Sequence, residues 1–191
     1  PCGTGKSLTA FWVAQALKDV NTILVAVPSL ALIKQSLADW TREYLAHDQV
    51  PEWLCVCSDE TVGNLSQDEF MGGTYDLGID TTTDAKKIAK FLKKKSDNPK
   101  IVFATYQSGI KLGEGARKAE CEFDLAILDE AHKTVGKKAK LFASMLFDEN
   151  VPIKRRMFMT ATERVVQGLS DEVLSMDDET VYGERVYHLT F

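Results

Sequence analysis

Several things are scarce in this chain, and each scarcity narrows what it can be. No stretch approaches the roughly 18 consecutive apolar residues that a membrane-spanning helix needs, and the opening residues lack the layout of a secretory leader. Cysteine is limited to Cys2, Cys55, Cys57 and Cys121, whose spacing matches no metal-ligand pattern. Free thiols of this kind suit a reducing cytoplasm. Basic residues do not dominate: 23 Lys and Arg face 28 Asp and Glu, a net charge of −5. That argues mildly against a general nucleic-acid surface, although a local basic face can coexist with an acidic average. What remains is a chain of 191 residues, 45% hydrophobic and 27% charged, enough for one sizeable domain and short of two.

Apolar periodicity alternates between helix and strand. Lys6 to Val20 carries Leu8, Phe11, Trp12, Ala16 and Leu17 at helical spacing. Thr22 to Val27 is a β-branched apolar run stopped by Pro28-Ser29, and Leu30 to Leu45 is helical again. Trp53 to Cys57 reads as a strand with Cys55 and Cys57 both turned to the core. Residues 59–82 show no period, and Thr83 to Lys95 is a helix whose Lys93-Lys94-Lys95 end is solvated. Ile101 to Ala104, Leu125 to Leu128 and Arg156 to Met159 read as strands, with a short helix after Ser108 and another over Ala139 to Phe147. From Gly168 onward the chain is acidic and weakly patterned. Trp12, Trp40 and Trp53 fall at core-facing positions, while His47 and His188 have no partner pattern. The alternation predicts an α/β fold, a parallel sheet with helices on both faces, as a single domain over 1–191 in which 166–191 is an exit segment.

Two segments carry chemistry. Gly3-Thr4-Gly5-Lys6-Ser7 closes a phosphate-binding loop of the G-x-x-x-x-G-K-[ST] type, whose first glycine would stand before Pro1. The strand that feeds such a loop would precede it, so the chain is expected to be a piece of something longer. Gly3 and Gly5 let backbone N–H groups point inward beside Thr4 at the start of a helix. Lys6 reaches the β- and γ-phosphates, and the Ser7 hydroxyl can ligate the bridging Mg²⁺. Far downstream, Phe123 to Leu128 leads into Asp129-Glu130-Ala131-His132. Asp129 at a strand end can hold Mg²⁺, and Glu130 can orient or deprotonate an attacking water. The ligands these motifs predict are a nucleoside triphosphate and Mg²⁺.

The order Gly3-Thr4-Gly5-Lys6-Ser7, Val27-Pro28-Ser29-Leu30, Ala104-Thr105-Tyr106-Gln107-Ser108, Asp129-Glu130-Ala131-His132, Met159-Thr160-Ala161-Thr162 resembles the first RecA-like motor domain of superfamily-2 helicases and translocases. The match covers residues 1 to about 165. The wording of the last two motifs is similar to motor subunits of restriction-modification systems, of type I, type III and single-polypeptide type I-like enzymes, and Glu163 after Thr-Ala-Thr fits that branch. The resemblance implies that the nucleotide is ATP, and with it an ATPase that moves along double-stranded DNA in the bacterial cytoplasm. A second motor domain and nuclease or methyltransferase regions would lie elsewhere in the protein, although no motif of either enzyme is visible here. It implies that His132 senses the γ-phosphate and passes its state to Thr160, Ala161 and Thr162, and that Pro28, Ser29, Thr105, Tyr106 and Gln107 face nucleic acid. An RNA helicase domain, or a nucleotide-binding switch that does not translocate, stays open as an alternative at this point.

Overall fold

The computed structural model describes residues 5–57, 81–137, 141–166 and 173–188. Helix α1 (Lys6–Ala16) is followed by β1 (Thr22–Val27), α2 (Leu30–Ala46), β2 (Glu52–Val56), α3 (Ala85–Lys93) and β3 (Lys100–Thr105). A 3₁₀ turn over Tyr106–Ser108 leads into α4 (Gly109–Ala119), then β4 (Leu125–Leu128), a second 3₁₀ turn at Ala131–Thr134, and the short β5 (Gly136–Lys137). The described chain continues with a 3₁₀ segment at Leu141–Leu146, β6 (Arg156–Phe158), β7 (Val173–Leu174) and α5 (Glu179–Tyr182). Five strands pair in the order β2-β3-β1-β4-β6, all parallel, as the alternation of elements requires.

Alternate residues of the buried strands supply two separate cores. Leu24, Val102, Ala126 and Leu128 face α3 and α4, while Ile23, Val25, Phe103 and Ile127 face α1 and α2. Cys55 and Cys57 share the second face, as their spacing predicts, and burial pushes the Cys55 thiol far above its usual range. Helix α4 contains three glycines, which an exposed helix would not tolerate without cost. They allow close approach: a Cβ on Gly113 would overlap the backbone carbonyl of Asn150, and one on Gly115 would press into Ile88 of α3.

Several boundaries differ from the sequence reading. Helix α1 stops at Ala16 because Leu17 is already extended, with ψ 112°. Trp12 is 48% exposed, because its neighbour Phe11 takes the inward position and adjacent helical residues cannot share a face; Trp12 lies edge-on to Phe11 and to the exposed His47 instead. The helix expected over Ala139 to Phe147 is 3₁₀ in its described part, where the Ser144 hydroxyl donates to the Leu141 carbonyl at 2.8 Å. Of the loop expected over 59–82, only Thr81 and Thr82 are described; both pair with Cys55 of β2. The end of the chain, read as weakly patterned, makes definite contacts. Strand β7 pairs antiparallel with β5, α5 is capped by Asp178, and both Leu174 and Tyr182 are buried. Among the described residues, no helix is long and apolar enough to cross a membrane.

Candidate nucleotide site

The parallel arrangement brings the C-terminal ends of β1, β3, β4 and β6 to one edge of the sheet, where open α/β folds hold their ligands. Gly3 and Thr4 lie outside the described residues. Gly5 takes a left-handed conformation, φ 75°, and α1 begins there with no side-chain cap, so its positive end remains turned to the site. Ser7 stands in the first turn. Its hydroxyl is buried and finds no hydrogen-bond partner among the described residues, while its carbonyl accepts the indole N–H of Trp40 at 3.2 Å. Trp40 is itself fully packed in α2, so that helix braces the loop from behind.

Opposite this loop, β4 delivers the acidic turn. The Asp129 N–H donates to the Ala26 carbonyl at 2.9 Å, extending the β1–β4 register one residue past the strand. Its carbonyl accepts the Tyr106 hydroxyl at 2.8 Å, and its Oδ1 accepts the Glu130 N–H at 2.9 Å. Burial pushes the Asp129 carboxyl above its ordinary range; the negative Glu130 adds to this, and the Glu130 N–H, Lys6 and His132 oppose it. A carboxylate in that state gains from a cation beside it. Glu130 adopts a left-handed backbone, φ 51°, an unfavourable conformation for a residue with a side chain and one that marks functional turns. The turn aims its carboxylate across the cleft: Oε1 lies 3.7 Å from Lys6 Nζ and Oε2 lies 3.3 Å from His132 Nδ1.

His132 then reaches the end of β6. Its Nδ1 is 2.8 Å from Thr160 Oγ1, which in turn donates to the Thr162 carbonyl at 2.8 Å and accepts the Thr162 N–H at 3.2 Å. When the Thr160 hydroxyl proton goes to the Thr162 carbonyl, His132 Nδ1 is the donor of the 2.8 Å bond. The expected link from His132 to the Thr-Ala-Thr segment thus exists, but it runs through Thr160 alone. Thr162 takes part by its backbone, and Ala161 spans the bend between the two.

The residues expected to face nucleic acid are more inward than the sequence suggests. Ser29 is buried and caps α2 by accepting the Leu32 N–H. Thr105 is buried with its hydroxyl 3.0 Å from that of Ser108. Tyr106 is fully buried, stacked on Phe142 with its hydroxyl given to Asp129, which explains why an aromatic stands there. Pro28 and Gln107 are half-buried, and Gln107 Oε1 has no partner among the described residues. Three contributors escaped the sequence reading: Trp40, Thr134 and Tyr182. The buried Thr134 hydroxyl donates to the Ala131 carbonyl at 2.7 Å and meets the Tyr182 hydroxyl at 2.8 Å. No local pattern announces this pair, because its members are 48 residues apart.

Residues 1–164 match the family model described as type III restriction enzyme, res subunit. Among solved structures, the chain is similar to a nuclease-deletion mutant of the Type ISP restriction-modification enzyme LlaGI in complex with a DNA substrate mimic. That likeness has 32% identity and a TM-score of 0.72, and covers 95% of this chain and 14% of that one. It is also similar to the ATP-dependent Type ISP restriction-modification enzyme LlaBIII bound to DNA, at 28% identity and a TM-score of 0.71, over 95% of this chain and 13% of that one. No curated protein sequence matches the chain significantly. A five-stranded parallel sheet with these motifs gathered at one edge, and a family match over most of its length, place the chain in the type III restriction enzyme res-subunit family, with a RecA-like motor domain fold.

Proposed function

We propose that this chain is the ATP-binding motor domain of an enzyme that moves along duplex DNA, within a restriction-modification or phage-defence system of the cytoplasm. The observation that carries the reading is the continuous path Lys6–Glu130–His132–Thr160, which joins the phosphate loop, the acidic turn and the end of β6 through contacts of 3.7, 3.3 and 2.8 Å. A site built only to hold a nucleotide has no need of the last contact.

The residues present fit ATP with Mg²⁺. The orphaned Ser7 hydroxyl and the buried Asp129 carboxyl are suited to the metal, and Lys6 and the open end of α1 to the phosphates. ATP bound there would supply the phosphoanhydride whose cleavage drives movement, and Mg²⁺ held by Ser7 and Asp129 would neutralise phosphate charge. Glu130 orients a water and takes its proton on a carboxylate oxygen, with Lys6 Nζ 3.7 Å from one of those oxygens and His132 Nδ1 3.3 Å from the other. His132 reports the outcome to Thr160, and so to the bend at Thr162.

DNA contact falls to Pro28, Gln107 and the backbone around Ser29, Thr105 and Tyr106, since those three side chains are engaged inside the protein. Backbone N–H groups read phosphates without regard to sequence, which suits a motor. One solved relative is in complex with a DNA substrate mimic and the other is bound to DNA, and this chain covers 14% and 13% of them, so a second motor domain and further enzymatic regions in the full-length protein belong to the same proposal. The test is ATP turnover by the full-length protein with duplex DNA, structured RNA or neither, paired with displacement of a triplex-forming strand. Stimulation by duplex DNA with displacement is expected. Stimulation by RNA alone, or nucleotide binding with no displacement, would overturn it.

A further inference from the structure

The path just described explains one side of the acidic turn and leaves the other side to a part of the chain that the family model does not reach. The turn between Asp129 and Thr134 must keep Glu130 in a left-handed conformation, and its central residue, Ala131, is pinned at both ends of its own backbone. The Ala131 N–H donates to the Met159 carbonyl at 2.9 Å, while the Ala131 carbonyl accepts the Thr134 hydroxyl at 2.7 Å. Thr134 is fully buried and has one hydroxyl proton, already given to Ala131. The 2.8 Å contact between Thr134 Oγ1 and the Tyr182 hydroxyl therefore has Tyr182 as donor. The bonds run in one direction, from Tyr182 to Thr134 to Ala131.

Tyr182 ends α5, beyond the matched residues 1–164, and is held in place by Phe158 of β6, whose ring centroid is 5.1 Å away. The segment that carries it is fastened to the same region by β7 on β5 and by the Met176 N–H on the Arg164 carbonyl. We infer that Tyr182 is a positioning residue for ATP hydrolysis: through Thr134 it holds the Ala131 peptide, and with it the orientation of Glu130 and His132. This rests on the proposed function. It adds a second connection to the turn, from the segment after Thr162, so that displacement of α5 by whatever follows in the chain would be felt at the water-activating carboxylate.

Tyr182→Phe keeps the ring against Phe158 and removes only the donor. In the full-length protein, kcat for duplex-stimulated ATP hydrolysis should fall roughly tenfold, the scale of one buried hydrogen bond lost, while KM for MgATP stays within about twofold. Thr134→Val should have the same effect, Thr134→Ser should remain near wild type, and the Tyr182→Phe/Thr134→Val double variant should be no slower than either single one. A Tyr182→Phe variant that lowers Tm but leaves kcat unchanged would overturn the inference and make the pair simple packing, as would additive losses in the double variant. If wild type shows no duplex-stimulated hydrolysis, the proposed function fails and this inference with it; an active wild type with an unaffected Tyr182→Phe removes the inference alone.

Discussion

Replacing Thr160 by valine isolates communication from chemistry. The substitution removes one oxygen that accepts from His132 Nδ1 at 2.8 Å and donates to the Thr162 carbonyl at 2.8 Å, and preserves the branched shape at the end of β6. His132 is not left stranded, because Glu130 Oε2 remains 3.3 Å from the same nitrogen, and the exposed Thr162 N–H can turn to water. The net stability loss is then at most about 1 kcal/mol, a fall of about 2–4 °C in melting temperature for a domain of this size. The proposed nucleotide site keeps Lys6, Ser7, Asp129 and Glu130, so turnover should stay within about threefold, or ~0.65 kcal/mol in barrier. Displacement of a triplex-forming strand per ATP consumed should drop by about tenfold or more, because the side-chain bond from His132 to this segment is gone. Thr162→Val, which leaves that residue's backbone role intact, should be nearly silent in both assays. Unchanged displacement per ATP in Thr160→Val, or an equal defect in Thr162→Val, would refute the assignment.

Other consequences can be measured in the same protein. Lys6→Ala should abolish productive ATP binding, whereas Glu130→Gln should bind ATP and fail to hydrolyse it; equilibrium binding of a labelled nucleotide separates the two, and equal loss of affinity would reverse the roles. Gly113→Ala should cost about 3 kcal/mol in denaturant unfolding, because its Cβ meets rigid backbone at Asn150 and not a side chain that can move aside. Asp124 accepts the N–H groups of Asn21 and Thr22 at 3.0 Å and Lys154 at 2.7 Å. Burial alone would raise its carboxyl, but those three donors outweigh it and hold it below the ordinary range. A depressed folded value stabilises above the unfolded pKa of about 3.9 and is lost as pH falls through the folded value. Asp124→Ala should therefore cost about 1–2 kcal/mol at pH 7, and the gap to wild type should narrow as pH falls below about 4.

Elements with a strong period and motifs tied to strand ends were legible from the residues. The run Thr22–Val27 stopped by Pro28-Ser29 became β1 and the cap of α2, and Leu125–Leu128 became a strand buried on both faces, because burial on two sides leaves no polar alternation to misread. The order of motifs named Lys6 and Glu130 separately, as a phosphate contact and a water-activating carboxylate, and gave no sign that their side chains stand 3.7 Å apart. Failures arose where a distant partner decides. Trp12 and Phe11 both satisfy an apolar pattern, and only the packing of Tyr44 and Trp40 around Phe11 selects which one is buried. Tyr106 carries no sign in sequence that its hydroxyl belongs to Asp129. Residues Val173 to Tyr182 are too short in each element to show a period, and their order comes from β5, Phe158 and Thr134, all far off along the chain.

The bond from Trp40 to the Ser7 carbonyl has an optical consequence. An indole whose N–H is tied to the first turn of α1, and whose ring lies edge-on to Phe11 at 5.6 Å and Phe103 at 6.1 Å, is a fluorophore attached to the phosphate loop. Any shift of that carbonyl changes the length of the Trp40 bond and with it the emission of a ring otherwise sealed from water. The half-exposed Trp12 contributes a solvent-relaxed background that soluble quenchers reach first, and Trp53 is partly buried, so Trp12→Phe/Trp53→Phe isolates the signal of Trp40. If the proposed function holds, Trp40 emission should change on addition of MgATP, a readout that needs no label.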